Sequence, residues 1–256
     1  METELYFTFS EPFVCTAIHN GHNLSKSVKE NLNISKEVRT REEDARTGYF
    51  TRIGANRIIQ HKSRFEYDLN RPRERAVYLE PSDAWGLDIR KEVPAKDLID
   101  DSLARYDSFY RRVKLFLDEM LKTYRSICLF DIHSYNHHRL GPDEPFDDPD
   151  KNPDIILGTS NMPEKWFPTV EQLRESLVAY DFMGRKLDVR LNIKFPGGHF
   201  PRWIHDTYGE RICAVAIEFK KIFMNEWTGE FYPEILRELR QALKSTKPAI
   251  LKQLRA

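Results

Sequence analysis

The sequence predicts an α/β protein built on a mostly parallel mixed sheet, and three observations lead there. Short apolar runs recur at wide intervals: Cys15–His19 (CTAIH), Ser126–Asp131 (SICLFD), Ile155–Gly158 (IILG) and Cys213–Phe219 (CAVAIEF). Nearly continuous apolar runs of this length suit strands covered on both faces. Helical patterns long enough for a crossover lie between them, as parallel neighbours require. Each run also ends in or abuts a charged residue, a His or a Gly, the pattern expected where ligands bind beyond the carboxyl ends of strands.

Taken in chain order, CTAIH is the first strand and delivers His19 to its end. In Ser63–Arg73 (SRFEYDLNRPR), Phe65, Tyr67 and Leu69 alternate with Glu66, Asp68 and Asn70, which predicts a half-buried strand. From Leu98 to Tyr124 apolar residues recur at spacings of three and four with charges between them, a helix covering a sheet. SICLFD follows as a central strand. Residues 136–154 carry four prolines and six acidic residues with no helical or strand period, so they read as a loop at the rim of whatever that strand presents. The spacing predicts a helix over Thr169–Ala179 with Thr169 as its cap. The last helix starts at Ile235 and is expected to stop at Pro248, leaving a short separate turn.

Composition narrows the function classes. The 256 residues hold 40 Lys plus Arg and 40 Asp plus Glu, which removes any global electrostatic case for nucleic acid or an anionic membrane surface. Three cysteines without a CxxC spacing read as buried reduced thiols of a cytoplasmic protein. No run of 18 apolar residues occurs and no internal repeat or polar linker divides the chain, so a single domain over 1–256 without a membrane span is expected.

The chemistry-bearing residues cluster at the strand ends. HNGH places His19 and His22 around Gly21, whose freedom would let two imidazoles converge, although a surface pair looks the same. DIHS puts Asp131 and His133 on one side of an extended chain, and a metal-bound imidazole commonly donates its other N–H to such a carboxylate. REED offers Glu43 and Asp44 as a third ligand, and the residues alone do not choose between them. Asp68 would be costly to bury without a partner, which Arg64, Arg71 or Arg73 could supply. Arg71 could instead clamp a carboxylate or hold a developing oxyanion. In FPGGHFPRW, two glycines adjoin His199, which could orient substrate or relay a proton, and Arg202, which could bind an anionic substrate tail. Glu218 ends an apolar run: either it pairs with a cation, or it faces a cleft with a raised pKa suited to a general base.

In order, IHNG, REED, SRFEYDLNR, DIHS, GGHFPR and AIEFKKIFMNEWTGE resemble the N-formylglutamate amidohydrolase family over Ile18–Glu230. The resemblance implies a three-layer zinc-carboxypeptidase-like fold and amide hydrolysis by metal-activated water. The family's characteristic reaction releases formate from N-formylglutamate. It implies Zn2+ held by His19 and His133 with Asp44 favoured as third ligand, although HNGH could place His22 where related zinc enzymes carry a Glu. It further implies Glu218 as general base and acid, Arg71 and Asn70 in the DLNR segment beside the substrate, and Arg202 holding a substrate carboxylate. The partner expected is a small carboxylate-bearing amide, with a larger carboxypeptidase-like or peptidoglycan-type substrate, or a non-catalytic metal-binding role, as alternatives. The oligomeric state is left open.

Overall fold

A seven-stranded mixed sheet forms the centre of the structure, a computed structural model that describes residues 2–254. The strands are β1 (Thr3–Tyr6), β2 (Phe13–Ala17), β3 (Asn56–Gln60), β4 (Ile127–Tyr135), β5 (Ile155–Gly158), β6 (Val189–Leu191) and β7 (Ile212–Lys220), in the spatial order β1-β3-β2-β4-β7-β5-β6. The four strands β3, β2, β4 and β7 run parallel, while β1 and β5 join them antiparallel. Central β4 and β7 pair over nine residues, with Leu129 opposite Ala214, Asp131 opposite Ala216 and His133 opposite Glu218.

The helices are α1 (Lys26–Asn31), α2 (Lys36–Glu42), α3 (Thr47–Phe50), α4 (Lys96–Thr123), α5 (Phe167–Ala179), α6 (His199–Tyr208) and α7 (Pro233–Gln253). They make three layers with the sheet, as expected. On one face Phe130, Ile132, Val215 and Ile217 pack with Leu173 and Leu177 of α5 and Leu239 and Leu243 of α7. On the other, Val14, Leu129 and Ala214 pack with Phe109, Val113 and Leu117 of α4 and Phe200 and Ile204 of α6. Period-two alternation along each strand feeds both cores, which is why the runs read as almost wholly apolar. The three cysteines are buried and unpaired. Among the described residues no helix is long and apolar enough to cross a membrane.

Three local expectations are corrected. Residues 63–70 form turns instead of a half-buried strand, and Glu66 and Asp68 are buried along with Phe65 and Tyr67. Their alternation reflects two kinds of buried neighbour, since Glu66 meets Lys62 and the Ser25 N–H, and Asp68 meets Arg64. Helix α5 starts at Phe167 with Pro168 in its first turn, so Thr169 is buried inside it and is not its cap. Helix α7 runs through Pro248 to Gln253. The lost backbone bond is outweighed there by packing, because Ile250 is fully buried and Leu251 and Leu254 lean on the same core.

Candidate active site

His19 stands two residues beyond β2, Asp44 follows α2, and His133 projects from the second half of β4. All three are almost completely buried, and one nitrogen or oxygen of each lies within 4.8 Å of the others. Asp44 Oδ2 sits 2.9 Å from His133 Nδ1 and 3.5 Å from His19 Nδ1. The remaining imidazole nitrogens are braced from outside, His19 Nε2 by Asp68 at 2.6 Å and His133 Nε2 by Asp131 at 2.9 Å. Asp131 is fixed in turn by the Thr16 hydroxyl at 2.7 Å. Asp68 also accepts from Arg64, Tyr78 and the Asn70 N–H, which explains how a carboxylate can be wholly buried there.

That bracing fixes what the centre of the cluster can hold. With each Nε2–H donated to a carboxylate, both Nδ1 atoms present lone pairs toward Asp44, so three acceptors face one another with no proton to share. His19 Nδ1 is buried without a hydrogen-bond partner. A cation resolves both conditions, and two imidazoles with one carboxylate are a donor set suited to zinc or a similar divalent ion. Without an ion a proton takes that place. Burial opposes charging His133, but Asp131 and Asp44 outweigh it and hold its pKa well above the ordinary value. Burial likewise opposes ionising Asp44, yet the two imidazoles hold its carboxyl far below the usual range.

The other acidic and histidine expectations in this region are placed differently. His22 is 42% exposed and bonds to Glu43, away from the cluster. Gly21 does not bend the two imidazoles together; a Cβ there would lie 2.2 Å from the His61 carbonyl carbon, so the glycine serves close approach to that segment. Glu43 is buried against Arg39 and Ser63 and tethers the turn that presents Asp44.

A cavity of about 200 Å³ opens over the cluster, lined among others by Glu218, Asn70, Arg71, Arg139 and Lys221. Glu218 stands beside His133 across the β4–β7 pair with an edge open to this space. Burial first, and then the negative charge of Asp44, push its pKa up to about 7, against the opposing pull of His133. Arg71 lines the wall with no carboxylate partner among the described residues, its guanidinium donating to the Asp83 carbonyl at 3.3 Å. Asn70 lines the cavity while its Oδ1 accepts the Phe200 N–H at 3.0 Å, capping the start of α6. A Cβ at Gly198 would overlap the Asn70 side chain, which is the reason for glycine before α6. His199 and Arg202 are not brought to the cavity: His199 lies against Tyr110, and Arg202 is exposed along α6.

Three site features escaped the sequence reading. Asp68 bonds to a histidine 49 positions away, and no spacing rule reports such a pair. Lys221 is buried with its ammonium on the Arg41 and Glu43 carbonyls and Asn136, yet in KK it looks like a surface charge. Arg139 comes from the proline-rich loop and reaches Glu42 at 3.4 Å; its signal was only that the loop leaves the end of a site strand.

The profile of the N-formylglutamate amidohydrolase family matches residues 11–224, a span that includes every residue of this cluster. The chain belongs to that family. Its members are hydrolases acting on amide bonds. Among solved structures, an N-formylglutamate amidohydrolase from Ralstonia eutropha JMP134 is similar over 99% of this chain and 98% of its own, with TM-score 0.76 and 17% identity. A gene product from Agrobacterium tumefaciens is similar over 97% and 96%, with TM-score 0.65 and 17% identity. At that identity both likenesses speak for the fold. No curated protein matches the chain in sequence.

Proposed function

We propose that this chain is a single catalytic domain that hydrolyses the amide of an N-acyl amino acid such as N-formylglutamate, with zinc held by His19, Asp44 and His133. The observation that carries the reading is the convergence of those three donors beside Glu218 at the mouth of one small cavity. A bound zinc ion supplies a Lewis acid and lowers the pKa of water toward neutrality. Asp68 and Asp131 keep both imidazoles in the tautomer that offers Nδ1 inward. Glu218 accepts a proton from the attacking water and returns it to the departing amine nitrogen, a role its raised pKa suits. Arg71 holds the substrate carboxylate or the oxygen on which negative charge develops, and Asn70 offers its amide N–H groups from the same wall. The roughly 200 Å³ of free space is room for a small acyl amino acid.

The test is to load the protein with zinc, add N-formylglutamate and follow formate and glutamate in equal amounts. Release that requires the metal supports the reading. Absence of release from this and other small N-acyl amino acids by protein carrying one equivalent of zinc contradicts it.

A further inference from the structure

A second cavity, of about 510 Å³, shares no lining residue with the first and borders the segments that carry His19 and Asp44 through Asn20 and Arg46. Its floor is the β1–β3 edge of the sheet, with Arg57 opposite Tyr6 and Ile59 opposite Glu4. One wall is α3 and the other is Phe231 with the first turn of α7. Three arginines, Arg46, Arg52 and Arg57, line it against a single carboxylate, Glu4. In a chain whose formal charge sums to zero this is a local excess of cation.

None of the three arginines makes a side-chain hydrogen bond or an ion pair among the described residues, whereas Arg73, Arg174, Arg185 and Arg190 all pair with nearby carboxylates. The Nε of Arg57 is buried without any partner. Each guanidinium instead lies over an aromatic ring, Arg46 at 4.2 Å from Phe231, Arg57 at 4.7 Å from Tyr6 and Arg52 at 5.5 Å from Tyr49. Stacking engages the face of a guanidinium and leaves its N–H edge unused. Such an edge, held in place by a ring, matches the oxygens of a phosphate dianion, which accept paired hydrogen bonds from Arg. Tyr49, Phe231, Ile59 and Leu236 add apolar surface beside the cations, room for the organic part of a ligand.

We infer that this cavity is a binding site for a phosphate group, separate from the catalytic cluster, with Arg46, Arg52 and Arg57 as its ligands. Free phosphate and a small organic phosphate share that chemistry. The test is calorimetric titration of the zinc-loaded protein, at constant ionic strength, with inorganic phosphate in one arm and adenosine monophosphate in the other. Saturable binding of about one equivalent is expected, weakened about ten- to a hundredfold by Arg46→Gln or Arg57→Gln, the loss of one charge-assisted hydrogen bond. Unchanged near-ultraviolet circular dichroism shows that a variant has folded, and Arg46, being exposed, is the variant least coupled to folding. His133→Ala should keep the binding. Tighter binding of the nucleotide assigns the apolar wall to an organic phosphate, and equal affinity assigns the site to free phosphate. The inference is overturned if neither probe saturates below about 1 mM, if both Gln variants bind as the parent does, or if His133→Ala abolishes binding and so places the anion at the catalytic cluster.

Discussion

Strands β4 and β7 lie side by side for nine residues, and their two faces are composed differently. Beneath α5 and α7, the face made by Cys128, Phe130, Ile132, Cys213, Val215, Ile217 and Phe219 is apolar until Ser134 near the end of β4. The opposite face begins the same way, with Ile127, Leu129, Ile212 and Ala214 under α4 and α6, and then changes to Asp131, His133 and Glu218. The change comes where helix cover gives way to the cavity. Each ionisable group placed there carries a desolvation cost, and each is met by an opposite charge, a hydrogen bond or the open edge of the cavity. The apolar half therefore supplies stability and the ionisable half supplies chemistry, on one continuous piece of backbone.

The largest expected effect comes from breaking the ionisable half. His133→Ala removes one donor of the cluster and leaves Asp131 buried without its imidazole. Activity and stoichiometric zinc should both be lost, measured by formate release and metal analysis of the dialysed protein, while folding persists. Retention of full metal content would mean that His133 is not a ligand.

Leu129→Ala acts four residues earlier on the same face and is expected to do the reverse. Leu129 is fully buried, so truncation should cost about 2–5 kcal/mol of stability by chemical denaturation. The folded fraction should keep one equivalent of zinc and near-parental turnover. Loss of metal in this variant would show that the two halves are not separable.

Arginine placement gives a finer contrast. Arg71→Lys should lower kcat/KM about ten- to a hundredfold, because Lys loses the paired donor geometry at the cavity wall. Arg202→Lys, on the exposed side of α6, should leave kcat/KM close to parental. Equal effects of the two would return Arg202 to the substrate.

Much of this division was legible in the sequence. IILG and CAVAIEF mark β5 and β7 to within a residue at each end, since strands buried on both faces announce themselves as unbroken apolar runs. His19, His133 and Glu218 stood out because ionisable residues at the ends of such runs need a reason to be there. What failed depended on tertiary placement. The alternation in SRFEYDLN looked like one wet face, but both faces are buried, and the partners that permit this come from residues 19, 25 and 78. Arg202 lies next to buried Pro201 in α6 yet is exposed, a placement that a glycine pair upstream does not report. Pro248 is carried inside α7 because Ile250 beyond it has a core to join.

The central claim is that Glu218 moves the proton while the three-residue cluster holds the metal. Glu218→Gln separates the two, since it keeps the shape of the side chain and cannot take a proton. Zinc content and formate release should be measured together on the parent and the variant. The account predicts about one equivalent of zinc in both and a turnover about 10²–10⁴-fold lower in the variant. A variant that binds zinc normally and still retains more than about a tenth of parental turnover, well outside the loss expected of a general base, would contradict it.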